Sequence, residues 1–313
     1  MDREGPATHQ TEELAPEKWV DMSGVSRRTV LKTGIAAGVA GLGYAAVTQP
    51  IQAQTVITTS TDGLTAGMVT VKSKDGKDMP AYRAMPARGT GFGTILVCEE
   101  IFGVNEHIAD ICRRFAKAGY YAIAPEIYFR YGDPKPMTDF QQIIREIVSK
   151  TSDAEIMGDF DSAAEFAKGE GKADMAKLGV TGFCFGGRVT WMYSAHNPAI
   201  KAGVAWYGRL VGQASANNPK HPFDIAKDLK GPVLGLYGGQ DQGIPLDTVE
   251  KMKEALKAAG TPAASKSMFH VYPDAPHAFL ADYRPSFRKE TAEDGWKRCL
   301  EWFRANGVTG VTA

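Results

Sequence analysis

The chain has 313 residues, with 36 Lys and Arg against 36 Asp and Glu, so its formal net charge at pH 7 is zero. Hydrophobic residues make up 43% and aromatics 10%, the balance of a globular protein rather than of a disordered, collagen-like or multi-span membrane chain. The neutral balance offers no basic face for nucleic acid, and four cysteines in a chain this long are too few for a disulfide scaffold.

Near the start, Ser26-Arg27-Arg28-Thr29-Val30-Leu31-Lys32 precedes an uncharged run at 34–47 that is rich in Ala and Gly. Paired arginines ahead of a short apolar stretch resemble a twin-arginine export signal. The run of 14 residues is shorter than the roughly 20 that a membrane span needs. Processing near Ala53 divides the chain into a signal at 1–53 and a domain at 54–313; an uncleaved N-terminal anchor is the alternative. Without the first 53 residues the chain keeps 31 basic and 30 acidic side chains and stays near neutral. The expected location is therefore periplasmic or exported, with the twin-arginine export machinery as a partner during translocation. Such machinery carries folded proteins, so this location does not require disulfides.

The remaining length suits one large α/β domain. Segments 68–73 and 79–85 flank the turn signal Lys74-Asp75-Gly76-Lys77 and read as an edge hairpin. Thr94-Ile95-Leu96-Val97-Cys98 is a short apolar run, typical of a strand buried on both faces. Ile108, Ile111, Cys112 and Phe115 recur at helical spacing, so a helix is expected over 108–118, stopped by Gly119. A strand at 121–124 ends at Pro125, and helices are predicted over 138–150 and 153–168. Further strands are predicted at 178–183, 203–207, 233–237 and 267–272, with helices near 246–259 and 289–304. This alternation predicts a mainly parallel sheet covered by helices on both faces. Such sheets carry their chemistry on loops at the carboxyl ends of strands.

Gly182-Phe183-Cys184-Phe185-Gly186-Gly187 lies where a buried strand turns into a helix, the nucleophile-elbow pattern with Cys in place of Ser. The turn would lift the sulfur above the sheet toward a helix N-terminus, whose dipole favours thiolate. Taken alone, Cys184 reads equally as a small buried cysteine. Asp241, in Gly239-Gln240-Asp241, follows the predicted strand 233–237, and His277, in Pro276-His277-Ala278-Phe279, follows that at 267–272. Nucleophile, acid, then histidine is the chain order of α/β-hydrolase triads. In that chemistry the histidine takes the nucleophile's proton and returns it to the leaving group, while the acid fixes the imidazole tautomer. Glu99 and Glu100 follow the strand at 94–98; Glu99 reads as a solvated loop charge, and Glu100 as the less ordinary of the two. Peptide N–H groups of Ile101 and Phe185 would suit an oxyanion hole, because hydrolases of this fold draw donors from both loops. Trp206-Tyr207-Gly208 ends a strand and reads either as pocket lining or as core. His107, His196, His221 and His270 stand singly, and Cys98, Cys112 and Cys299 read as core or helix-face residues.

Together, Glu100-Ile-Phe-Gly-Val-Asn105, Pro125-Glu-Ile-Tyr-Phe-Arg130, Gly182-Phe-Cys-Phe-Gly-Gly187, Gly239-Gln-Asp241 and His277-Ala-Phe279 resemble the dienelactone hydrolase (carboxymethylenebutenolidase) family. Five separated motifs fall in the family's order across about residues 65–305. The resemblance implies a single-domain α/β-hydrolase fold with Cys184 as nucleophile, Asp241 as acid and His277 as base. It implies that Glu100 pairs with the cysteine thiol in the resting enzyme and helps to generate thiolate as substrate binds. It also implies that Arg130 grips the substrate carboxylate. The family's second carboxylate-binding arginine lies four residues past the histidine, where this chain has Ala281; Arg284, three residues further on, is the candidate replacement.

The implied reaction opens a lactone or small ester through a thioester acyl-enzyme, as in conversion of carboxymethylenebutenolide to maleylacetate, by a monomer needing neither cofactor nor metal. A broader exported carboxylesterase or thioesterase on the same triad, and a non-catalytic periplasmic binding protein on this fold, are the alternatives.

Overall fold

The computed structural model describes residues 57–311. The arginine pair, the apolar run and the processing point at Ala53 lie outside the described residues.

The chain enters through a hairpin of β1 (Leu64–Lys72) and β2 (Asp78–Pro86), paired antiparallel. Its turn closes through Ser73 N–H to the Lys77 carbonyl at 2.9 Å, with the Ser73 hydroxyl donating to Asp75. Then strands and helices alternate: β3 (Phe92–Cys98), α1 (Glu106–Lys117), β4 (Tyr121–Pro125), α2 (Phe140–Glu146), α3 (Asp153–Gly169), β5 (Ala173–Phe183), α4 (Phe185–His196), β6 (Ile200–Trp206), β7 (Val233–Gly238), α5 (Leu246–Ala259), α6 (Pro262–Lys266), β8 (Met268–Tyr272) and α7 (Lys289–Ala305). These strands form one eight-stranded sheet in the order β1-β2-β4-β3-β5-β6-β7-β8, parallel from β4 to β8.

Why the sheet is covered on both sides is legible in its middle strands. Every residue of β3, β4 and β7 is buried, so neither face carries polar alternation, as expected of parallel strands sandwiched between helices. On one face α1 meets α7, with the Phe115 ring 4.6 Å from Trp296 and 6.1 Å from Phe303. On the other α3 meets α4 through Phe160 and Tyr193, 5.3 Å apart. The start of α3 is fixed by a capping box, in which Ser152 Oγ accepts from Glu155 N–H and the Glu155 carboxylate accepts from Ser152 N–H.

Several boundaries differ from the expectation, among them a four-residue earlier start of β1 and a three-residue earlier start of β6. The helix expected over 138–150 is broken: Ile147 leaves helical geometry at φ −121°, and a single 3-10 turn follows at Val148–Lys150. β5 begins at Ala173, five residues before its apolar run, because a register shift beside Gly93 lets its half-exposed start pair with β3. A 3-10 segment, Pro222–Asp228, occupies a stretch with no apolar period to announce it. Strand order and crossovers make this an α/β-hydrolase fold, with the carboxyl ends of β3, β5, β6, β7 and β8 along one rim.

Candidate active site

Cys184 stands between β5 and α4 with φ 55° and ψ −111°, a backbone conformation that costs a residue with a Cβ and persists only when its surroundings enforce it. The glycines around it provide that enforcement. A Cβ on Gly182 would collide with the Gly186 carbonyl, and one on Gly186 would collide with the carbonyl of Cys98 and lie 2.6 Å from that of Glu99. The first turn of α4 is therefore pressed directly onto the end of β3. Cys184 N–H donates to the Trp206 carbonyl at 3.0 Å, tying the elbow to β6 as well.

Asp241 follows β7 in a turn held by its own carboxylate, whose Oδ1 accepts from Gly243 N–H at 2.9 Å and Ile244 N–H at 3.1 Å. The other oxygen, Oδ2, lies 2.6 Å from His277 Nδ1, with both side chains 1% exposed. That pairing uses Nδ1, and the Cys184 side chain hydrogen-bonds the same imidazole. Burial works against a charge on His277, but the Cys184 sulfur and the Asp241 carboxylate outweigh it and raise the imidazole from 6.5 to about 10. The three residues that the sequence placed in order are thus brought together at the ends of three parallel strands.

Glu100 is 1% exposed, and its Oε2 accepts hydrogen bonds from the Tyr283 hydroxyl and from Arg284 Nη2, the latter at 3.4 Å. The hydrogen bonds of Glu100 among the described residues go to Tyr283 and Arg284, and the pairing with Cys184 implied by the family resemblance is not among them. Arg284 is itself 4% exposed, with its guanidinium 4.9 Å from the Phe102 ring and 5.3 Å from that of Tyr283. Its Nε and Nη1 have no hydrogen-bond partner among the described residues. Tyr283 had no signal of its own in the sequence beyond adjacency to Arg284.

Two expectations need correction. Arg130 does not present its fork to the site: Nη1 and Nη2 grip Asp159 at 2.6 and 2.8 Å, while Nε and Nη2 hold Asp75 at 3.1 and 2.9 Å. These bonds hold the Asp75 carboxyl below the usual range and tie the segment after β4 to α3 and to the β1–β2 turn. Glu99 is not a solvated charge; it is fully buried, accepts from Ile127 N–H at 2.9 Å, and is pushed well above the usual carboxylate range by burial and then by Glu126. A carboxyl at that position remains protonated more readily than a loop glutamate would.

The N–H groups of Ile101 and Phe185 donate to no carbonyl or side chain among the described residues. Phe185 opens α4, so its N–H has no preceding turn to bond with, and it sits beside Cys184. All four cysteines are free thiols and buried. Burial pushes the Cys98, Cys112 and Cys299 thiols up.

A buried cysteine on a strained strand–helix turn, beside a buried His–Asp pair, is an arrangement for acyl transfer. The model of the dienelactone hydrolase family matches residues 79–307, and the chain belongs to that family, hydrolases of lactones and carboxylic esters. It is 60% identical over 284 residues to a protein of Methylorubrum extorquens provisionally named carboxymethylenebutenolidase, covering 91% of this chain and 94% of the relative. One of Escherichia coli with the same provisional name is 50% identical over 266 residues, covering 85% and 96%. Among solved structures, a provisionally named dienelactone hydrolase of Klebsiella pneumoniae superposes with a TM-score of 0.74 at 52% identity, over 77% of this chain and 98% of that one. An acylaminoacyl peptidase of Pyrococcus horikoshii, at 17% identity and a TM-score of 0.61 over 80% of this chain and 43% of that one, shares the fold.

Proposed function

We propose that the chain is a cysteine-dependent hydrolase that opens an unsaturated lactone bearing a carboxylate, of the dienelactone type, through a thioester. The observation that carries this reading is the buried cluster of Cys184, His277 and Asp241 with Arg284 held beside it by Glu100. The Cys184 thiolate adds to the lactone carbonyl carbon, and the carbonyl oxygen takes the negative charge, facing the N–H groups of Ile101 and Phe185. The ring C–O bond then breaks as the tetrahedral intermediate collapses, and the leaving oxygen receives the proton from His277 Nε2. Water, deprotonated by His277, attacks the thioester carbonyl; the C–S bond breaks and sulfur departs as thiolate, restoring the resting pair. Asp241 keeps the imidazole in the required tautomer and offsets its charge during both steps. Arg284 supplies positive charge for the carboxylate, the role that the family resemblance gave to Arg130 and to the position now held by Ala281.

Turnover of a carboxylate-bearing dienelactone by the protein and by Cys184→Ala tests the proposal. We expect hydrolysis by the former and a loss of about a thousandfold or more in the variant. A variant that keeps near-normal turnover would refute the assigned nucleophile. We propose further that the 26–47 segment directs export by the twin-arginine route and that the mature protein acts as a monomer in the periplasm. Arg27→Lys with Arg28→Lys is expected to trap the protein in the cytoplasmic fraction; unchanged distribution would contradict the routing.

A further inference from the structure

Tyr207 follows β6 with φ 39°, a second non-glycine residue at the rim held in the left-handed region. Its ring lies edge-on to His277 at 5.1 Å and to Phe279 at 5.2 Å, and 6.5 Å from Phe183. The side chain is fully buried, yet its hydroxyl has no hydrogen-bond partner among the described residues. An unpaired hydroxyl in a packed aromatic cluster costs stability that phenylalanine would not, and phenylalanine already fills two neighbouring places. A hydroxyl kept there needs a partner that arrives later.

The surroundings indicate which partner. Burial holds Tyr207 well above the ordinary tyrosine value, with Glu100 acting in the same direction, so the group is a hydrogen-bond donor and not a base. Arg284, Tyr283 and Cys184 also act electrostatically on the phenol, so the hydroxyl beside His277 lies within reach of both the cysteine and the guanidinium. Arg284 carries two unengaged nitrogens, but its charge is already offset by Glu100. A neutral donor adds to an anion site without giving Glu100 a second ion-pair partner. We infer that the Tyr207 hydroxyl is a specificity-determining donor that, with Nε and Nη1 of Arg284, clamps the substrate carboxylate. Arg284 thereby stands in for the arginine missing at Ala281, and Tyr207 takes the part given to Arg130, which is engaged by Asp75 and Asp159. This inference rests on the carboxylate-bearing substrate class proposed above.

Tyr207→Phe removes one oxygen and no packing, which separates a recognition role from a structural one. We expect the ratio of kcat/KM for the lactone acid over that for its methyl ester to fall about tenfold, chiefly through KM, the magnitude of one hydrogen bond to a charged group. Thermal stability of the variant is expected to equal or exceed that of the parent. An unchanged ratio, or a clear fall in Tm, would overturn the inference. Calorimetric titration of muconate into Cys184→Ala and into Cys184→Ala with Tyr207→Phe reads the clamp without turnover. Binding about tenfold weaker in the double variant supports the inference; equal affinity, or no binding to either, overturns it. If the acid is not hydrolysed by the parent but muconate still binds in a Tyr207-dependent way, the proposed reaction fails and the clamp stands.

Discussion

At the residue scale, the site depends on how burial sets protonation. His277 rises from 6.5 to about 10 in the folded protein, so between those values the folded state holds a proton that the unfolded state has released. The stability contributed by the Cys184–His277–Asp241 set is therefore fully present below about pH 6.5 and declines as pH rises toward 10. Urea unfolding of the protein and of His277→Asn at a series of pH values checks this: the parent's advantage should shrink steadily over that window. An advantage that grows with pH would contradict the assigned pairing. The cysteines give a second test. Cys98, Cys112 and Cys299 are held as thiols by burial, whereas Cys184 has an imidazolium-capable partner beside it. Brief iodoacetamide treatment near neutral pH, followed by peptide mapping, should label Cys184 first. Uniform labelling of all four would count against an activated nucleophile.

At the element scale, the proposed catalysis rests on α4 being pushed against the end of β3. Gly186→Ala places a methyl group onto the carbonyls of Cys98 and Glu99, neither of which can retreat without disturbing a buried strand. The expected cost is about 1–3 kcal/mol of stability, with turnover falling further than stability alone explains because Cys184 would shift. A Tm loss with full activity in the folded fraction would contradict the account. This elbow is legible in the amino-acid sequence, because Gly182, Gly186 and Gly187 bracket a cysteine after an apolar run. The partners of Glu100 are not. Tyr283 and Arg284 reach it across 183 and 184 residues of sequence, and no local spacing encodes such a contact. Tyr207 is half-legible: its place at a strand end is plain, but its unpaired hydroxyl depends on rings from β5 and from the loop after β8.

Across the whole molecule, the apolar runs of β3, β4 and β7 predict a sheet buried on both faces, and the sheet is so built. What pattern alone misplaces is charge. Glu99 reads as solvated because carboxylates usually are, and the family resemblance gives Arg130 to the substrate while its two partners lie 55 and 29 residues away in sequence, out of sight of any local motif. Arg130→Leu distinguishes the two roles: it leaves Asp159, which is fully buried, without its guanidinium, and should cost about 3 kcal/mol. The acid-over-ester preference of the folded fraction should change little; a collapse of that preference would return Arg130 to the substrate. The most direct test compares turnover of a carboxylate-bearing dienelactone and a neutral aryl acetate by the protein and by Cys184→Ala in parallel. Preference for the dienelactone and loss of both activities in the variant are expected. Hydrolysis of neither substrate by the parent, or turnover that survives the loss of the Cys184 sulfur, would contradict the proposed function.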